Sequence, residues 1–294
     1  MEAGAQAHRV GAAWAIVVFA LAESLRRRVV AVVLVLTVVF LGLYGLGANF
    51  AFDEIEGRRL IGGDLIDEQT LTGSTLFGLA MFGTLFLGSV LAIFLTIGVV
   101  RGDAESGLLQ PLVARPLGRA TLVVARYLAA AATAAAYVLG VYAVALLITL
   151  ALGDWSPDHP ILPGLALALA VAIVAAISVL ASVLMSSTAQ GIAVFMVFGA
   201  GLVAGLLGQI GSALDSSRLE RISEVAALAL PFEALYQGGL YLLTSETFGL
   251  TSNLVELGPF GGAHEASAAA VAWSAAFAVA VIGVSLVAFA RRDL

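Results

Sequence analysis

Five stretches of this 294-residue chain, at 29–52, 73–100, 127–153, 163–214 and 266–290, run without one charged side chain. A helix needs about 20 apolar residues to cross the hydrocarbon core of a bilayer, so each stretch can supply a span. The fourth is long enough for two, and the polar run SSTAQG at 186–191 gives it a turn in the middle. Six spans are predicted, near 29–48, 74–99, 125–152, 163–186, 190–210 and 268–290. Composition agrees, because 12% of the residues are charged against roughly 25% in a soluble domain. The chain reads as an all-α, multi-pass integral membrane protein, one transmembrane domain over residues 1–294.

Arginine placement predicts the orientation. The amino terminus, the segment between the second and third spans, the 186–191 turn and the carboxyl terminus share one side. That side holds ten arginines against five carboxylates, and the other holds four against fifteen. Positive charge marks the cytoplasmic face, so both termini are expected inside, with segments 49–73 and 211–265 outside. Residues 10–22 (VGAAWAIVVFALA) end like a signal-peptide cleavage site. Cleavage there would leave Arg26, Arg27 and Arg28 leading the next span from the outside, against the arginine rule. The favoured reading of 1–28 is an uncleaved helix at the inner interface, with Trp14 at headgroup level.

Several chemistries are excluded. Cysteine is absent, which removes disulfides, thiolate metal sites and thiol catalysis. Every basic residue apart from histidine is arginine, so there is no phosphate-loop lysine and no ATPase motif. The expected spans hold no Asp, Glu, Lys or His, the usual residues of proton relays. His8, His159 and His264 lie in three separate segments and nominate no metal site. Serines, threonines and tyrosines within the spans are expected to serve helix packing. The GLVAG run at 201–205 marks a candidate close helix contact. Any uphill movement must then draw its energy from outside the bilayer.

The segment after the second span is the natural point of entry. Asp103 suits a helix cap, Glu105 follows in the first turn, and Leu108, Leu109, Leu112 and Val113 form an apolar stripe. Pro111 limits that helix, and Pro116 and Gly118 turn the chain towards Arg119 and Arg126. Such a short amphipathic helix fits a partner's groove. An inside loop whose arginines only fix topology fits equally, and periodicity does not choose between them.

The run ESGLLQPLVARPLGRATLVVARYLA resembles the signature of type-2 ABC exporter permeases, the ABC-2 family. Glu105, Gly107, Leu109, Arg115, Pro116, Arg119 and Arg126 match the pattern. Leu108, Gln110 and Pro111 stand where threonine, glutamate and leucine are usual. The resemblance implies that 100–124 is a cytoplasmic coupling segment acting through Asp103, Glu105, Gly107, Leu108, Leu109, Arg115, Pro116 and Arg119. It also implies a separate ATPase subunit that carries ATP and Mg, no cofactor on this chain, and a prokaryotic plasma-membrane location. One copy has too few helices to enclose a pathway, so a second permease copy, identical or similar, is expected within the lipid. Nucleic acid is not an expected partner. Apolar or amphipathic cargo is expected, since the spans lack charge. An ATP-independent secondary transporter or channel is the alternative, followed by a lipid-modifying enzyme and a non-transporting scaffold.

On the outer side, the acidic 49–73 segment matches no calcium loop. Residues 215–243 are apolar in the middle but broken by Pro231 and by Gly238 and Gly239, which predicts a pair of short interfacial or re-entrant helices before the last span. Family members carry similar outer helices, which makes Glu233, Tyr236 and Gln237 candidates for contact with departing substrate. An ordinary amphipathic lid explains the same residues.

Overall fold

The computed structural model describes residues 28–59, 67–97, 119–247, 251 and 263–291. The expected interfacial helix, and the coupling segment as far as residue 118, lie outside them. Eight helices are described: α1 (Arg28–Arg59), α2 (Glu68–Thr96), α3 (Arg119–Gly153), α4 (Leu162–Leu184), α5 (Ser187–Ala213), α6 (Ser217–Ala229), α7 (Pro231–Tyr241) and α8 (Ala268–Ala290). Among the described residues there is no strand, and α1–α5 and α8 are long and apolar enough to cross a membrane.

Local chemistry sets the helix ends. The Asp67 carboxylate caps α2 by accepting from the backbone N–H groups of Gln69 and Thr70, each at 3.1 Å. Pro163 and Pro231 sit in the first turns of α4 and α7, where a missing N–H is harmless. Leu230, just before Pro231, leaves helical geometry at φ −131°, ψ 67° and separates α6 from α7. Ser267 Oγ accepts from Ala270 N at 3.2 Å to open α8. Asp154 and Asp215 close α3 and α5 in the left-handed region, at φ 46° and 56°.

Three boundaries differ from expectation by six residues or more. α1 continues beyond residue 48 to Arg59, α2 starts at Glu68 rather than near 74, and α3 starts at Arg119 rather than near 125. Hydropathy detects the bilayer-crossing part of a helix and is blind to polar turns that extend it. The 32 residues of α1 extend roughly 48 Å at 1.5 Å per residue, well beyond the ~30 Å hydrocarbon layer.

Burial divides the spans into a centre and a rim. About 67% of the α2 span and 72% of the α4 span is buried, against 22–28% for α1, α3, α5 and α8. α4 packs on α2, α3, α5, α7 and α8. Gly88 of α2 lets Val138 of α3 and Val171 of α4 approach closely, while Gly83 receives the Phe40 ring of α1. Hydroxyls join two of the rim helices to each other: Thr37 pairs with Tyr137 and Tyr44 with Thr149, both between α1 and α3. Others, including Thr84, Thr133, Ser274 and Ser285, bond the carbonyl four residues back in their own helix.

At the α7 end, the α3–α4 connection is stitched to the chain after α7. Asp158 N donates to Leu243 O at 3.2 Å and His159 N to Leu242 O at 3.3 Å, while Asp158 Oδ2 accepts from Glu246 N at 2.7 Å. Trp155 is buried there, edge-on to Phe77 with centroids 6.2 Å apart.

Candidate coupling joint and lid

Of the residues nominated for coupling, Asp103, Glu105, Gly107, Leu108, Leu109, Arg115 and Pro116 lie outside the described residues. Arg119 is the first residue of α3, with its side chain outside the description. The place from which that segment departs, the end of α2, is well defined. Ile97 turns extended at φ −61°, ψ 128°, leaving the last carbonyls of α2 without helical partners. Gln190 answers one of them. Its Nε2 donates to Thr96 O at 3.1 Å, and also to Ser178 O at 3.0 Å and Ser178 Oγ at 3.1 Å. Thr96 Oγ1 donates to Ser178 Oγ at 2.6 Å. One amide near the start of α5 therefore holds the end of α2 against α4, and Gln190 is only 1% exposed.

Sequence reasoning missed this joint. It treated 186–191 as a polar turn, whereas α5 begins at Ser187 and Gln190 belongs to its first turn, with its N–H bonded to Ser186 O at 2.8 Å. The available signal was the long amide of Gln190 directly before the apolar run that begins at Gly191, a side chain too polar to be buried without partners.

At the opposite end the structure gathers the three lid candidates. Glu233 and Gln237, one turn apart on α7, face α5: Gln237 Nε2 donates to Glu233 Oε1 at 2.8 Å, and Gln209 Nε2 of α5 donates to Gln237 Oε1 at 3.1 Å. Phe232 and Tyr236, also one turn apart, enter an aromatic group. Phe232 stacks on Phe198 with centroids 5.5 Å apart, and Tyr236 tilts against Phe82 at 6.5 Å. Glu233 and Tyr236 are 4% and 5% exposed, so this chain itself encloses them.

The burial of Glu233 has an electrostatic consequence. Desolvation pushes its carboxyl up from the ordinary 4.5 to about 7, the Gln237 hydrogen bond pulling the other way. Tyr236 is raised as well, by burial and then by the neighbouring Glu233. Scanning for charge in the spans could not find this group, because α7 is no span; its register against α5 buries it.

The GLVAG run explains how α7 approaches. Added methyls at Gly201 and Gly205 would overlap Phe232 and Glu233, and at Gly208 and Gly211 they would meet Ser223 and the backbone of Glu220 in α6. These four glycines, at i, i+4, i+7 and i+10, form one smooth face of α5 on which α6 and α7 rest. Among the described residues no group of three or more His, Asp or Glu is placed to hold a metal ion.

A family model described as ABC-2 family transporter protein matches residues 14–294, nearly the whole chain. The chain belongs to the ABC-2 family. Six apolar helices and this match make the ABC-2 protein a multi-pass membrane permease component of an ABC transporter. No curated protein matches it. In this setting the Gln190 joint lies at the root of the segment that the permease signature occupies, and the α6–α7 pair precedes the last span.

Proposed function

We propose that the chain is the membrane half of an ATP-driven exporter, powered by a separate ATPase subunit that binds ATP and Mg. The family match carries this reading. The segment between α2 and α3 is the docking handle, with Glu105, Arg115 and Arg119 gripped by the ATPase and Asp103, Gly107, Leu108, Leu109 and Pro116 shaping its helix. Nucleotide-driven closure pushes on this handle and tilts the spans. The arginine distribution supports a cytoplasmic handle and cytoplasmic termini, and thus α6 and α7 on the far face of a prokaryotic plasma membrane.

A second permease copy completes the pathway. In support, α1 and α5 expose broad apolar faces, including Val35, Val38, Met196, Val203 and Leu206. Lipid covers what the partner copy leaves. Glu233, Tyr236 and Gln237 belong to the lid that opens for departing cargo, which the aromatic surroundings suit to apolar or amphipathic molecules.

Co-purification tests the reading. The chain should retain an ATPase subunit, and charge reversal by Glu105→Arg or Arg115→Glu should release it while leaving the permease in the membrane. Stable assembly unaffected by either reversal would remove the handle from the account. One observation favours the second reading, an ATP-independent secondary transporter: Glu233 is a buried carboxyl titrating at about 7. Transport by purified permease vesicles under a proton gradient, without nucleotide, would establish that reading instead.

A further inference from the structure

Two amide side chains bind α5 to its neighbours, one at each end. Gln190 fastens the first turn of α5 to Thr96 of α2 and Ser178 of α4. Gln209, in its last turns, fastens α5 to Gln237 and through it to Glu233 of α7. Between the two joints α5 is a rim helix with 28% of its span buried, and the surface it turns to α6 and α7 is the glycine face 201, 205, 208 and 211. Glycine offers no ridge of its own to interlock with a facing helix, so the polar contacts at the ends, together with the Phe198–Phe232 stack, set how α5 sits. α4 also runs the full length of the bundle, but it is packed by five other helices and 72% buried, which makes it the fixed element.

The inner joint has a further property. Gln190 Oε1 is buried and has no hydrogen-bond partner among the described residues. An acceptor stripped of water and given no donor disfavours the arrangement that holds it, and such a group marks a place where a second arrangement can gain a bond. The end of α2 is therefore held by a joint that is strong on its donor side and, among the described residues, unsatisfied on its acceptor side.

We propose that α5 carries displacement from the end of α2 to the α7 lid, with Gln190 the positioning residue at its driven end and the Gln209–Gln237 bond at its delivering end. The source of the displacement rests on the proposed function, since the coupling segment departs just beyond Ile97. The mechanical link between the two joints does not depend on that reading. It requires only that loosening one joint be felt at the other, and equilibrium coupling of this kind is reciprocal.

Hydrogen exchange followed by mass spectrometry, on the full chain in lipid nanodiscs without a partner, tests the link. Gln190→Met keeps the length and removes the donors; Gln237→Met does the same at the far joint. Gln190→Met should raise deuterium uptake several-fold in 231–241, and Gln237→Met should raise it in 187–197, with α1 unchanged because it has no substantial packing on α5 or α7. The double variant should add little at either end. Gln190→Asn, which retains the amide on a shorter stem, should fall between parent and Gln190→Met. Uptake rising only beside the substituted residue overturns the proposal, and so does an equal rise in α1, which signals general loosening. If Gln190→Met cannot be purified, Gln237→Met alone reads the link in the reverse direction. Failure to retain an ATPase would remove the driver and leave this result standing, so the two ideas fail separately.

Discussion

Glu233 shows how one buried carboxyl makes a fold sensitive to pH. In the unfolded chain it ionises near 4.5, and in the folded chain near 7. Between those values the unfolded state gives up a proton that the folded state keeps, so the contribution of Glu233 is full below about 4.5 and is lost as pH rises through about 7. Glu233→Gln removes the titration while keeping an oxygen for Gln237. Thermal unfolding of the purified variant should therefore lose part of the decline that the parent shows over this range. An identical pH profile in both proteins would mean that Glu233 is already ionised when folded. Asp67 caps α2 with two backbone bonds. Asp67→Ala should cost about 1 kcal/mol, visible as a drop of a few degrees in the unfolding midpoint, with helix content otherwise retained.

Helix α5 is the element whose reading changed most between sequence and structure. Its existence was legible from the uncharged 163–214 run, and SSTAQG marked a break near its start, because the bilayer demands apolar length and a turn demands polar backbone partners, but the helix begins at Ser187 within that polar run. The Pro231 break that yields α6 and α7 was legible for a similarly local reason. What could not be read was which faces meet. The glycines at 201 and 205 matched a packing motif, but only the fold shows that Phe232 and Glu233 fill them, since α7 lies beyond a reversal of the chain. Gln190 was hidden in the same way: its partners Thr96 and Ser178 are 94 and 12 residues away. Gly205→Leu should force α7 off α5, an overpacking cost of about 1–3 kcal/mol. Hydrogen exchange should rise in 231–241 and leave the α1–α3 contacts protected. A stability equal to the parent's would mean that α7 can shift without loss.

For the whole molecule, the decisive property for the proposed function is which end faces the cytoplasm. The bundle has a buried α2–α4 centre, an amide joint where α2 stops, and a stitched, aromatic-lined end where α7 lies. The proposed exporter requires a cytoplasmic α2 terminus, which would set the joint beside a nucleotide-driven subunit and α7 on the far face. The charge count of the two sides supports that orientation, with ten arginines against four, but charge bias acts during insertion and leaves no mark on the helix packing itself. Because the chain has no cysteine, single replacements report sidedness cleanly. Ser156→Cys, exposed on the α3–α4 connection, should react with a membrane-impermeant maleimide added to intact cells, whereas Met185→Cys, exposed at the α4–α5 turn, should react only after the membrane is opened. The reverse pattern would put the α2–α3 segment outside the cell, beyond the reach of any ATP-hydrolysing partner, and the exporter reading would fall while the fold stood unchanged.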